Sequence, residues 1–196
     1  MGIEDRKLRE RAARRSLITA TARTLAEHEG WDAVTTRRLS NEIEYSQPVI
    51  YKHFASMEDL IEAVAIDGFG ELAETLHTAR VDGPPAQALS RVAYAFSSFA
   101  TENRALYDAM FTRATRLRFA APDTPAPLAA GFAELRQAVL DTVAGSRDID
   151  TLTEVLWAAL HGLTTLARND RLRPGLDTDR IELLVAQFND AGPQKA

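Results

Sequence analysis

Residues 30–60, GWDAVTTRRLSNEIEYSQPVIYKHFASMEDL, decide the fold of this chain. Thr35 precedes a short run, Thr36 to Ile43, whose spacing is typical of a helix. A threonine hydroxyl at that position can accept a backbone N–H that has no partner within the helix. A tight turn at Glu44-Tyr45 follows, and a second helical run begins after it.

The second run, Gln47 to Phe54, has the same construction. Ser46 is placed to cap it, and Pro48 is tolerated because the N–H groups of the first turn have no partner within a helix. Ile50 and Phe54 are four residues apart and are predicted to face inward together. We therefore predict a helix-turn-helix whose second helix points its remaining side chains outward: Gln47, Val49, Tyr51, Lys52 and His53.

Apolar residues recur at helical spacing through the rest of the chain, and no hairpin signal flanks an alternating run. The sequence therefore predicts an all-α protein with about nine helices. Gly30 is predicted to end the first helix in the left-handed conformation, which would fold Trp31 back into the core. The predicted helices span about Asp5–Glu29, Thr36–Ile43, Gln47–Phe54, Ser56–Ala79, Leu89–Ala100, Leu106–Phe111, Leu128–Val143 (ended by Gly145), Ile149–Arg168 and Thr178–Asn189, with an irregular segment at 119–127.

Composition narrows the class of protein. The chain has 196 residues, 45% of them hydrophobic, no cysteine and a net charge of −5. The absence of cysteine excludes a disulfide scaffold and a thiolate metal site. No segment has the length and apolar character of a signal peptide or a membrane span, so we expect a cytoplasmic protein that does not enter a membrane.

The charge is unevenly distributed. Residues 1–54 hold ten Lys and Arg against eight Asp and Glu, a net of +2, so the other 142 residues carry −7. Arg6 to Arg15, RKLRERAARR, contains six bases and one acid. This segment is either a solvated, frayed start of the first helix or an arm that follows phosphates or enters the minor groove.

The helix-turn-helix residues resemble those of the TetR family of bacterial regulators. Gly30, an aromatic, Ala33, Thr35 and Leu39 follow the family pattern, and so does the run SQPVIYKHF at 46–54. Two positions depart from it. The family usually has glycine in the turn, where this chain has Glu44, and often has lysine at the start of the fourth helix, where this chain has Met57. If Glu44 takes a positive φ angle, it bears roughly 1 kcal/mol of strain.

The resemblance implies roles for individual residues. Phosphate contacts are implied for six residues: Thr35, Thr36, Arg37, Ser46, Tyr51 and His53. Base contacts are implied for Gln47, Val49 and Lys52. These residue types suit the task, because glutamine can pair with adenine, lysine can reach guanine and valine can meet a thymine methyl.

The C-terminal part contains candidates for a ligand site. Trp157-x-x-x-His161-Gly162 places an indole and an imidazole on one helix face and resembles a motif of one TetR subgroup. The two side chains belong either to a core or interface, or to a pocket wall. The same alternative, core or apolar cavity, applies to five further residues: Phe96, Phe99, Tyr107, Met110 and Phe111.

The eighth helix is apolar around much of its circumference, which is more than one partner surface needs. The family resemblance implies a homodimer in which the last two helices of each copy form a four-helix bundle. The alternative is an internal core in a monomer. We expect a helix-turn-helix domain at 1–55 and a ligand-binding and dimerisation domain at 56–196. The resemblance implies a repressor that a small molecule releases from a palindromic DNA operator. The alternatives are a helical ligand-binding or protein-interaction dimer with weakened DNA binding, and a structural bundle. No catalytic motif is present, and we expect neither enzyme activity nor a metal or cofactor.

Overall fold

The computed structural model describes residues 2–114, 116–142 and 148–189 of the chain. Over these residues the secondary structure is helical and contains no strand, which confirms the all-α prediction. The predicted end of the seventh helix, Val143 and Gly145, lies outside the described residues. The α-helices are α1 (Ile3–Glu29), α2 (Thr36–Glu42), α3 (Gln47–His53), α4 (Met57–Val81), α5 (Ala88–Glu102), α6 (Arg104–Asp108), α7 (Ala126–Thr142), α8 (Ile149–Arg168) and α9 (Asp177–Asn189).

Two predicted boundaries need correction. The sixth helix does not run to Phe111 as one α-helix, because a π-helix, Ala109–Arg113, follows α6. The irregular segment ends at residue 125 rather than 127, since α7 already includes Pro127. Proline is compatible with the first turn of a helix because the N–H it lacks would be unpaired there.

The chain divides into two compact units. Unit 1 comprises Met1–Gly68 and Asn103–Arg118, and unit 2 comprises Phe69–Glu102 and Phe119–Ala196. The chain passes between them three times, the first time inside α4 between Gly68 and Phe69. The division into 1–55 and 56–196 stays a prediction.

Unit 1 has a core built from the predicted apolar positions. The side chains of Ile50 and Phe54 are buried, as their spacing of four residues predicts. Gly68 packs closely on α6, because a Cβ atom at Gly68 would lie 2.7 Å from Cδ1 of Leu106 and 2.9 Å from Sδ of Met110. Other buried residues of this core are Ile18, Ala22, Leu25, Ala26, Trp31, Leu39 and Leu60.

Of the two helix caps predicted above, the one at Thr35 is confirmed, and the structure adds a cap at Ser56. The hydroxyl of Thr35 accepts the N–H of Arg38 at 3.1 Å, and that of Ser56 accepts the N–H of Asp59 at 3.1 Å. The hydroxyl of Ser46 makes no such bond, so its predicted capping role is wrong. A cap serves the second or third N–H of a helix. In α3 the second residue is a proline, and the third donates its N–H to the backbone carbonyl of Ser46 at 2.9 Å.

Unit 2 is a helical bundle in which α5 packs against α7, α8 and α9. The buried face of α5 recurs every three or four residues, the pattern of an amphipathic helix. On α8 the buried Thr153 is satisfied, since its hydroxyl donates to the carbonyl of Ile149 at 2.7 Å. The buried side chains include Leu89, Val92, Phe96, Leu135, Leu156, Leu160 and Ile181.

Arg91 holds the C-terminal end of α4. Its guanidinium donates to the backbone carbonyls of Ala79 at 2.7 Å, Arg80 at 2.6 Å and Pro84 at 3.1 Å. These carbonyls lie at or beyond the last turn of α4, where helix carbonyls lack an internal partner, and the planar guanidinium can reach several at once.

We expect Arg91→Ala to lower the free energy of unfolding by about 1–3 kcal/mol, the usual cost of losing hydrogen bonds to a charged group. Arg91→Lys keeps the charge near the helix end but loses the planar guanidinium, so it should retain only part of the stability that Arg91→Ala loses. Urea denaturation of both variants measures the effect. Arg136→Ala, which breaks an exposed ion pair with Asp150 at 2.6 Å, is the control and should cost less. Equal losses for Arg91→Ala and Arg136→Ala would contradict the capping role.

Candidate nucleic-acid interface

The turn between α2 and α3 meets the condition for strain at Glu44, which is a positive φ angle. Glu44 has a φ angle of 54° and its side chain is exposed.

The predicted conformation of Gly30, at the end of α1, needs correction. Its φ of 83° is positive, but its ψ of 161° is that of an extended glycine rather than of the left-handed helix. Gly30 therefore still ends α1, by a different backbone conformation.

Helix α3 presents polar side chains on the side away from the core. Tyr51 is 52% exposed, and Gln47 and Lys52 are exposed. Val49 and His53 are half-buried at the edges of this surface. All five residues predicted to face outward therefore have accessible side chains, which is the arrangement that contact with base edges and phosphates requires.

The remaining predicted phosphate contacts lie around the N-terminal ends of α2 and α3. Thr35 and Arg37 are exposed, and Thr36 is half-buried. Ser46 is exposed at the start of α3. The hydroxyl of Thr35 can still accept or donate elsewhere, because capping occupies only one of its lone pairs. Met57 is the first residue of α4 and is half-buried. Because methionine is uncharged, it presents no charge there.

The basic segment at 6–15 is part of helix α1, which begins at Ile3. Side chains of this helix and of α3 line one surface hollow of about 380 Å³: Lys7, Glu10, Arg11, Arg14, Lys52 and His53. The hollow therefore has four permanent cations against one acid. The helical form favours a surface that follows phosphates over an extended arm that enters the minor groove.

Arg15 joins α1 to the end of α3. Its Nη1 donates to the backbone carbonyl of His53 at 2.9 Å, and its guanidinium lies 4.2 Å from the ring centroid of Phe54. Burial lowers the pKa of His53, and the charges of Arg11, Arg14 and Arg15 lower it further. At neutral pH the imidazole is therefore mostly neutral, and its N–H can still donate to a phosphate oxygen.

The sequence did not indicate which basic residues meet α3. The spacing of Lys7, Arg11 and Arg14 places them on one helix face, which is a usable signal. However, only the packing of α1 against α3 shows that this face adjoins Lys52 and His53.

The seven predicted ligand-binding residues fall in both units. Tyr107, Met110 and Phe111 belong to unit 1, where the rings of Tyr107 and Phe111 have centroids 4.5 Å apart. Tyr107 and Met110 are buried and Phe111 is half-buried. Phe96, Phe99, Trp157 and His161 belong to unit 2. There Phe96 and Phe99 are buried, whereas Trp157 and His161 are half-buried.

Trp157 belongs to an aromatic cluster within unit 2. Its ring centroid lies 4.9 Å from that of Phe119 and 6.5 Å from that of Phe132. Phe119 in turn lies 5.5 Å from Phe69, edge to face. Phe69 and Phe119 could not be assigned to this cluster from the sequence, because their partners are distant in the chain. Burial lowers the pKa of His161, with a smaller contribution from Arg168.

We expect Glu44→Gly to raise the free energy of unfolding by roughly 1 kcal/mol, because glycine adopts a positive φ angle without steric cost. It should also tighten DNA binding, since it removes an exposed negative charge beside α3. Glu44→Ala removes the same charge but keeps a side chain with positive φ. The unfolding temperature should therefore differ between Glu44→Gly and Glu44→Ala, whereas DNA titration should give the same affinity for both. Equal unfolding temperatures would show that the turn is not strained.

An exposed polar helix, a strained turn before it and an adjoining basic face define a DNA-binding protein of the helix-turn-helix class. Residues 18–64 match the family model described as bacterial regulatory proteins, tetR family. Residues 89–188 match the model described as tetracyclin repressor-like, C-terminal domain, which alone covers more than half of the chain. The chain belongs to the tetR family and is a transcriptional regulator of that type.

Individual proteins are similar to this chain in sequence or in fold. An HTH-type transcriptional regulator of Mycobacterium tuberculosis, Rv0681, is 28% identical over 170 residues, which are 85% of this chain and 75% of the relative. A structure from Rhodococcus sp. RHA1 has a TM-score of 0.72 at 24% identity, over 92% of this chain and 95% of that one. BioQ with its natural double-stranded DNA operator has a TM-score of 0.60 at 20% identity, over 88% and 95%. These two structures show a shared fold.

No helix among the residues that the structure describes has both the length and the apolar character needed to cross a membrane.

Proposed function

We propose that this protein is a homodimeric, ligand-responsive repressor that acts on chromosomal DNA in the cytoplasm. It binds a palindromic operator, and a small molecule in the C-terminal bundle releases it. The observation that carries the proposal is the outward face of α3 beside the basic hollow that α1 completes. The cations of this hollow neutralise phosphates while α3 reads base edges in the major groove.

Dimerisation is supported by the surface of α8. Apolar residues recur along one strip of this helix at spacings of three and four, and most remain accessible in the single chain. Val155 is 54% exposed and Leu166 is 40% exposed. On α9, Leu183 is 63% exposed. A second copy, related by a twofold axis, would cover these surfaces in a four-helix bundle. The strip on α8 consists of Leu152, Val155, Ala159, Leu163 and Leu166.

Effector binding is proposed for the predicted residues that lie in unit 2, Phe96, Phe99, Trp157 and His161, together with the aromatic cluster around Trp157. Their apolar character favours a hydrophobic or aromatic molecule. The ligand-binding roles of Tyr107, Met110 and Phe111 stay predictions. Helix α4 provides one route for the signal, since it is continuous from Met57 to Val81 and has residues in both units. An effector that prefers one position of α4 would change the spacing of the two DNA-reading helices. Coupling of about 1–3 kcal/mol, or roughly 5- to 150-fold in affinity, is typical and would suffice.

The test is selection of duplexes from random DNA by the purified protein, followed by a salt titration on the enriched sequence. We expect a palindrome with two half-sites spaced by about one helical turn. Tyr51→Ala should weaken its binding by about tenfold or more, and Tyr51→Phe isolates the contribution of the hydroxyl. Arg14→Gln should weaken all duplexes alike and lower the salt dependence.

The alternative is a ligand-binding or protein-interaction dimer with weakened DNA binding. Glu44 favours it, because a strained, exposed acid lies next to α3. This alternative predicts no enriched sequence and binding no tighter than about 10⁻⁴ to 10⁻⁶ M at physiological salt. The same selection therefore distinguishes the two functions.

A further inference from the structure

Three side chains of unit 1 hold the first turn of α6. Arg23, Glu27 and Trp31 are spaced four residues apart at the C-terminal end of α1 and just beyond it. The guanidinium of Arg23 donates to Oδ1 of Asn103 at 2.8 Å. Trp31 Nε1 donates to the carbonyl of Ala105 at 2.7 Å. Together with Glu27, these side chains form what we call the α6 latch.

Glu27 makes the central contact of the latch. One carboxylate oxygen accepts the N–H of Ala105 at 3.0 Å and the other accepts the N–H of Leu106 at 3.0 Å. Asn103, which precedes α6, makes no side-chain cap bond of its own. Glu27 therefore supplies from another helix the acceptors that a cap normally provides. A carboxylate makes a stronger bond than a neutral acceptor and complements the positive end of the helix dipole.

Nearer its N-terminus, α1 also reaches the recognition helix. Arg15 donates to the carbonyl of His53, the last residue of α3, at 2.9 Å. Arg15 and Arg23 are eight residues apart on one unbroken helix, which corresponds to about 12 Å. The internal hydrogen bonds of α1 keep this distance fixed. The hydrogen bonds of α1 therefore connect the first turn of α6 with the end of α3, where Lys52 and His53 lie.

The latch also lies at a point where the chain passes between the units. The chain leaves unit 2 at Glu102, the end of α5, and enters unit 1 at Asn103. Helix α5 carries Phe96 and Phe99, two of the predicted effector contacts. The end of α5 is therefore joined by one peptide bond to the residues that the latch holds.

We propose that Glu27 is a positioning residue for operator binding, which fixes the first turn of α6 to α1 and so makes α1 a second route between effector and operator. This inference rests on the proposed function. It goes beyond the route through α4, because it assigns the signal to named hydrogen bonds. By reciprocity, DNA bound at α3 must also stabilise the latch, so the route can be tested without knowing the effector.

The experiment measures hydrogen exchange of the Ala105 and Leu106 amides with and without the duplex enriched by selection. Glu27→Gln is the test variant. Glu29→Gln is the matched control, because it makes the same change of charge at the end of α1 but its partner is Arg38 of α2, at 2.9 Å. Duplex affinity and the unfolding temperature are measured for each protein.

We expect the duplex to slow exchange of both amides by about fivefold or more in the natural protein and in Glu29→Gln, the lower end of usual coupling. In Glu27→Gln this response should be lost, and the duplex should bind at least about fivefold more weakly than to Glu29→Gln. A purely structural role would instead speed exchange equally with and without DNA. That result, or an unchanged rate in the natural protein when DNA is bound, would overturn the inference alone. If the natural protein binds no duplex, the proposed function fails as well.

Discussion

Val155→Glu is expected to convert the proposed dimer into a monomer of 21.6 kDa at micromolar concentration. Val155 is 54% exposed in the single chain and belongs to the apolar strip on α8. In a twofold-symmetric bundle each interface position occurs twice, so one substitution buries two carboxylates. Each unpaired buried charge costs several kcal/mol. The free energy of association cannot offset two such costs. Light scattering coupled to gel filtration measures the mass.

Loss of the dimer should weaken operator binding by about 100-fold or more. Each monomer then contacts a single half-site, and the second half-site no longer benefits from a high effective concentration. The fold of the monomer should be kept, because Val155 is not part of the buried core.

Val81→Glu is a matched control for this experiment. Val81 is 55% exposed at the end of α4, so the substitution and the accessibility are the same as at Val155. It should leave the mass and the operator affinity unchanged. A Val155→Glu protein that remains dimeric would exclude α8 as the interface, whereas loss of the dimer in both variants would show that the effect is not specific to α8.

Local sequence signals predicted those parts of the molecule that depend on neighbours in the chain. The cap at Thr35 and the inward pair Ile50 and Phe54 follow from spacings of three or four residues within one helix. The positive φ angle of Glu44 was raised only as a condition, because the family resemblance places glycine at that position, and the structure has this angle. The bounds of α8 were predicted correctly at both ends because its apolar periodicity is uninterrupted.

The features that sequence reasoning missed depend on packing between distant segments. Nothing near Glu27 indicates that its partners are the amides of Ala105 and Leu106, 78 and 79 residues away. The contact of Phe119 with Trp157 is equally non-local. The error at Ser46 is of a different kind. The general preference for serine before a helix was outweighed by Pro48, which lacks one of the N–H groups that the hydroxyl would serve.

Trp31→Ala is expected to lower the free energy of unfolding by about 3–5 kcal/mol, the range for removing a large buried aromatic side chain. Trp31 is only 6% exposed, and its indole N–H pairs with the carbonyl of Ala105. The truncation therefore leaves both a cavity and an unpaired buried acceptor in unit 1. Because most domains are stable by only about 5–15 kcal/mol, this change should remove a large part of the total. Urea denaturation followed by circular dichroism measures it.

Trp31→Phe separates the two contributions. Phenylalanine keeps an aromatic ring in the core but lacks the N–H, so the hydrogen bond to Ala105 should account for about 1–3 kcal/mol of the loss. Trp157→Phe is the control, since Trp157 is half-buried in unit 2 and should cost less than Trp31→Ala. A loss for Trp31→Ala no larger than that for Trp157→Phe would contradict the assignment of Trp31 to the core. If Trp31→Phe is as stable as the natural protein yet binds the operator more weakly, the indole N–H acts in the α6 latch rather than in folding.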